Sequence, residues 1–79
     1  MNTAEVASFE ERVELWCNGF IERKSQVIER DPFEAHLALL AESSTRRAKY
    51  MMTGATNEEL LISALALERV AQKIEEGYF

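Results

Sequence analysis

The sequence is poor in the residues that staple, ligate and punctuate: one cysteine, one histidine and one proline in 79 residues. With Cys17 the lone thiol, no disulfide can form within the chain. The fold must stand on packing alone, and a reducing, cytoplasmic setting is expected. Metal ligation lacks a spacing. Cys17 and His36 are the only sulfur and imidazole ligands and fall on different elements. The residue three before His36 is Phe33, so no Glu-x-x-His pair of the di-iron kind exists. Zinc sites need more cysteine or histidine than this. The three glycines stand apart, so no phosphate-cradling loop can be built. No metal and no cofactor is expected.

Long apolar runs and positive charge are missing too. The longest apolar stretch, Leu60 to Leu67, is broken by Ser63 and is far too short to cross a bilayer, so no membrane partner is expected. The first residues carry neither a basic stretch nor an apolar core, so no signal peptide is expected. The formal net charge of −5 works against an undirected grip on nucleic acid or an anionic membrane. It serves solubility instead. A bacterial or phage cytosolic protein fits this profile.

What is present is helical periodicity. Helix 1 is expected over about residues 4–29, helix 2 over about 32–53 and helix 3 over about 57–76. In the first, Val6, Phe9, Val13, Trp16, Phe20 and Val27 step by threes and fours, with Arg23 filling the one interrupted place. Cys17, Ile21 and Ile28 widen that stripe. Ser8 with Glu11 reads as a capping box, and Asn2 with Glu5 is an earlier candidate. Gly19 costs up to ~1 kcal/mol inside a helix, and close approach of another helix is one physical reason to keep it.

Asp31 and Pro32 open helix 2 as N-cap and first helical residue, with Glu34 at the third. Its inward stripe is expected to be Phe33, Leu37, Leu40, Ser44, Ala48 and Met51. Small residues dominate positions 41–48, which favours close approach of a neighbour. Arg46, Arg47 and Lys49 suit the negative end of the helix dipole, and Gly54 suits a left-handed stop. Thr56 and Glu59 form the box that opens helix 3. Its stripe is Leu60, Ala64, Leu67, Ala71, Ile74 and Tyr78, and Gly77 ends it. The fold class is all-α, a small three-helix bundle in one domain, residues 1–79. The short second connection makes helices 2 and 3 an antiparallel hairpin.

More apolar residues are present than three stripes need. Ile21 and Ile28, Leu39, and Ile62 and Leu65 lie off the main rows. A small domain that leaves such surface wet invites association. Nucleophilic and acid–base chemistry find no footing. Cys17 sits among Trp16, Phe20 and Ile21 as a buried, inert thiol. His36 is a surface residue near a helix start. Glu10, Glu11 and Glu14 suit a helix N-terminus for dipole reasons. The chain is not expected to be an enzyme.

A helix, a glycine turn and a second helix resemble the helix-turn-helix. The reading helix would begin Thr56-Asn57-Glu58-Glu59-Leu60, where two glutamates would face phosphates; binding of nucleic acid is therefore the less favoured reading. The stretch Met51-Met52-Thr53-Gly54-Ala55-Thr56-Asn57-Glu58-Glu59-Leu60 resembles the hairpin of the small type III secretion needle co-chaperones. With its flanking turns it covers about a third of the chain. It consists of generic cap and turn residues and carries no functional residue over. In size and composition the chain also resembles small helical phage proteins that inhibit host machinery.

The expectation is a non-enzymatic protein-binding regulator, inhibitor or adaptor, acting through helix faces as a homodimer or on another protein. The anchors would be Trp16, Phe20, Ile21 and Leu39, with Arg46 and Arg47 as a charged rim. The alternatives are a secretion-type co-chaperone cradling an amphipathic helix, and a DNA-binding transcriptional regulator.

Overall fold

The computed structural model describes residues 8–78, and within them three helices carry the fold: α1 (Phe9–Arg30), α2 (Pro32–Met52) and α3 (Glu58–Glu75). The all-α expectation holds, with α2 and α3 the most extensively packed pair. The Asn2–Glu5 box, Val6 and the proposed start near residue 4 lie outside the described residues.

The ends of the helices are set by local chemistry. Ser8 and Glu11 form a reciprocal capping box, each side chain accepting from the other's backbone N–H at 3.1 Å. Asp31 alone joins α1 to α2. It closes α1 and caps α2, accepting from the Glu34 N–H at 3.2 Å, with Pro32 at the first helical position. After α2, Gly54 at φ 85° lets the Ala55 and Gly54 N–H groups reach back to the carbonyls of Tyr50 and Met51, and Gly77 does the same after α3. Ala55 also adopts positive φ, 57°, without a glycine's freedom. The start of α3 differs from expectation by one residue. Asn57 is its N-cap, accepting from the Leu60 N–H, while the Thr56 hydroxyl turns back to donate to the Thr53 carbonyl.

Helix α3 is the centre of the molecule. Ile62, Ser63, Ala64, Ala66, Leu67, Val70, Ala71 and Ile74 are all buried, which is most of its circumference. Its expected stripe is right from Ala64 to Ile74; Tyr78 instead lies exposed, with the Lys73 ammonium over its ring at 4.5 Å. Helix α2 packs along one side of α3, and α1 lies across another. Arg12 of α1 bonds Glu58 and Glu59, while Glu10 and Glu14 hold Arg69 at 3.1 and 2.9 Å. Residues 10–14 span about 6 Å of helix axis, but their partners span about 16 Å of α3. Helix α1 therefore crosses α3 instead of running in step with it, and it packs far less against α2 than against α3. The molecule is flattened, 43 × 32 × 19 Å.

The inward face of α2 is rotated from the expected stripe by about one residue, while that of α1 is the expected one, centred on its widened side. In α1 the core side is Val13, Cys17 and Ile28, with Phe9, Trp16, Phe20 and Ile21 packed at its edge, and Val27 is turned outward. In α2 the expected inner row faces solvent: Phe33, Leu37, Leu40, Ser44, Ala48 and Met51 are exposed. The row turned inward is Ala35, Leu39, Ser43, Arg46 and Tyr50, of which Leu39 and Ser43 are buried. The reason is the seam. The buried Ser43 hydroxyl donates to the Ala64 carbonyl at 2.7 Å, a contact that needs the two backbones close. Only small residues fit there, so the bulky ones are carried to the other side.

Two further expectations are corrected. Gly19 receives no neighbouring helix; a Cβ there would meet only the Arg23 guanidinium, at 3.3 Å. The apolar surplus is real but held by other residues. Ile28, Leu39 and Ile62 are buried, and Ile21 and Leu65 are packed against the core.

Candidate functional site: an aromatic–guanidinium cluster and an apolar helix face

Of the six anchor and rim residues, Trp16, Phe20 and Arg46 meet. Trp16 and Phe20, four residues apart on α1, stack with centroids 5.7 Å apart and planes 11° from parallel. Arg46 comes from α2. Its guanidinium lies 5.8 Å from the Trp16 centroid and is held by Glu42 at 2.9 Å. Both aromatic rings and the arginine are partly open to solvent. Ile21 packs beside them at the core edge. Arg47 points the other way around α2 and bonds Glu68 of α3 at 3.2 Å. Leu39 cannot be an anchor: it is 8% exposed and belongs to the core, because α2 turns that residue toward α3.

The face that sequence reasoning placed inside is the most exposed apolar surface of the hairpin. Phe33 is 70% exposed, Leu37 47%, Leu40 39% and Met51 66%. The residues are those of the periodic stripe; its direction was not legible from spacing. Beside this row a shallow groove between α2 and α3 is lined by His36, Leu40, Glu68, Gln72 and Glu75.

No family model, curated protein or solved structure matches this chain.

Several of the remaining chemistry-bearing groups are committed to the fold. Glu11 caps α1, and Glu10 and Glu14 hold Arg69. The Cys17 thiol is fully buried, and that burial pushes its pKa up, with Lys73 and Arg69 opposing and Glu14 assisting. The Arg12 and Arg69 guanidiniums are raised by the carboxylates bonded to them, Glu58 before Glu59 and Glu14 before Glu10. Among the described residues, no helix is long and apolar enough to cross a membrane.

Proposed function

We propose that this chain is a non-enzymatic protein-binding protein, a small regulator, inhibitor or adaptor of the bacterial or phage cytoplasm that works as a homodimer. The supporting observation is the Trp16–Phe20 stack with Arg46 above it, assembled from two helices and left partly open. Tryptophan and arginine dominate binding hot spots because each combines a large contact area with a directed polar group. Glu42 holds the guanidinium in place, which lowers the entropy lost when a partner packs on it. The carboxylates that would otherwise suggest acid–base chemistry are used as caps and ion pairs. The lone reduced thiol suits a cytoplasmic setting.

A helix that reads DNA needs a free, cationic side. The exposed positions of α3 include Glu58, Glu59, Glu68 and Glu75, which phosphates would repel.

The test is affinity capture from the source cell's extract with the wild type, Phe20→Ser and Arg46→Glu. A bound protein recovered by the wild type and lost with both variants, whose helical circular dichroism is unchanged, supports the reading. Identical recovery by all three would overturn it.

A further inference from the structure

We propose that the outward face of α2 seats a second copy of this chain. The two α2 helices pack antiparallel about a two-fold axis that passes midway between Leu40 and Ser44. The homodimer rests on the protein-binding reading above, whereas its seat on α2 does not require the Trp16 cluster to be the partner's site.

The face is long enough. From Phe33 to Met51 it runs about 27 Å along the helix. It lies about 130° around α2 from the buried row, so no residue of the chain's own core competes for it. Phe33, Leu37, Leu40, Met51 and the 85%-exposed Met52 carry it. With Ser44 and Ala48 these expose roughly 700 Å² per copy, a ceiling on what pairing can bury that comes just under the ~800 Å² per partner of a standard stable interface.

The distribution of size along the row selects the arrangement. Its first half is bulky, its middle is small, and Met51 closes it. Antiparallel pairing sets Phe33 against the partner's Met51, Leu37 over the partner's Ala48, and Leu40 over the partner's Ser44. Large residues then fill the hollows left by small ones, twice, by symmetry. Parallel pairing would set Phe33 on Phe33 and leave a gap at Ser44.

Charge does not oppose the pairing: Arg47, at the level of the partner's Leu37, is already bonded to Glu68 of its own chain at 3.2 Å, so it brings a compensated pair to the flank of the interface. The Trp16, Phe20 and Arg46 clusters lie on the far side of each α2. The dimer therefore presents two of them, and a partner with two matching sites would be held bivalently.

The experiment is sedimentation equilibrium on the full chain. The wild type is expected at twice the 9.0 kDa chain mass. Leu37→Glu with Leu40→Glu is expected at the single-chain mass with helical circular dichroism intact. Its association should be weaker by about 100-fold or more. As a second variant, Leu40→Cys with Ser44→Cys is expected to oxidise to a covalent dimer on a gel, because the two positions face each other across the axis. Cys17, fully buried, does not interfere. If the charged variant fails to fold, this cross-link decides, and its absence would overturn the proposal. A wild type that stays at the single-chain mass into the high micromolar range overturns it, as does a dimer that survives the folded charged variant. A single-chain wild type whose captured protein is lost with Leu37→Glu would give the face to another polypeptide, such as an amphipathic client helix. That outcome removes the second copy but leaves the protein-binding reading standing. Loss of capture through Phe20→Ser and Arg46→Glu remains a separate readout.

Discussion

Leu39 and Leu40 are neighbours in sequence and should behave oppositely when cut to alanine. Leu39 is 8% exposed and Leu40 is 39% exposed. Removing a buried leucine side chain costs 2–5 kcal/mol, depending on how far the site collapses. The site here collapses little, because the Ser43–Ala64 hydrogen bond already holds α2 against α3 at 2.7 Å; about 3 kcal/mol is expected for Leu39→Ala. Leu40 opens to solvent, so truncation leaves no cavity, and only the transfer of its partly shielded side chain is lost, about 1 kcal/mol. The difference of about 2 kcal/mol is roughly a 30-fold change in the folding equilibrium. It is a large share of the ~4–12 kcal/mol expected of a domain this size. Both variants should be made in the Leu37→Glu background, which removes any contribution from association. Urea unfolding followed by circular dichroism measures them, with an unchanged denaturant slope as the check on the unfolded state. Equal losses, or a larger loss for Leu40→Ala, would mean that Phe33, Leu37 and Leu40 face the core after all, and the argument from the outward stripe would fall.

Four smaller tests probe local structure. Gly19→Ala should stabilise α1 by up to ~1 kcal/mol, since the new methyl meets only the movable end of Arg23; thermal melting reads it, and a loss would reveal a packed neighbour. Ala55→Gly should gain about 0.5–1 kcal/mol by relieving the left-handed backbone at φ 57°, raising the melting temperature by a few degrees. Burial raises the Cys17 pKa, so the native state keeps its proton longer than the unfolded state does. Stability should be undiminished below the thiol's ordinary value of 9.0 and fall as pH climbs past it toward the native value. The fall should be smaller in Cys17→Ala. A thiol reagent at pH 8 should modify Cys17 only as fast as the protein opens, and prompt stoichiometric labelling of the native chain would contradict the burial.

How much of this was legible follows from where each signal resides. The caps lie in short local patterns, so Ser8–Glu11, Asp31–Pro32, Gly54 and Gly77 could be read directly. Helix α3 was legible because its buried side takes up most of its circumference, so the row from Ala64 to Ile74 falls within it. The face of α2 was not, and that of α1 was read correctly except that its centre lies on the widening side, at Cys17 and Ile28, with Val27 turned outward. A periodicity argument ranks positions by hydrophobicity, whereas the α2–α3 seam selects for smallness, and Ser43 won the place that Leu40 and Ser44 had been given. The meeting of Trp16 with Arg46 depends on the crossing of two helices, which no spacing within either one encodes. Trp16, Phe20 and Arg46 could be named singly as candidates, but their contact could not. Leu39 was misplaced for the same reason as its neighbour: a row chosen one residue off exchanges inside for outside.

The one-residue joint at Asp31 also limits how two molecules can entangle. Trading a helix between copies needs a connection that can straighten into a hinge. Asp31 has no slack, and the proline after it disfavours the helical conformation that would fuse α1 and α2 into one rod. Segment exchange is left only the longer Thr53–Asn57 turn, and it would be α3, carrying most of the core, that changes hands.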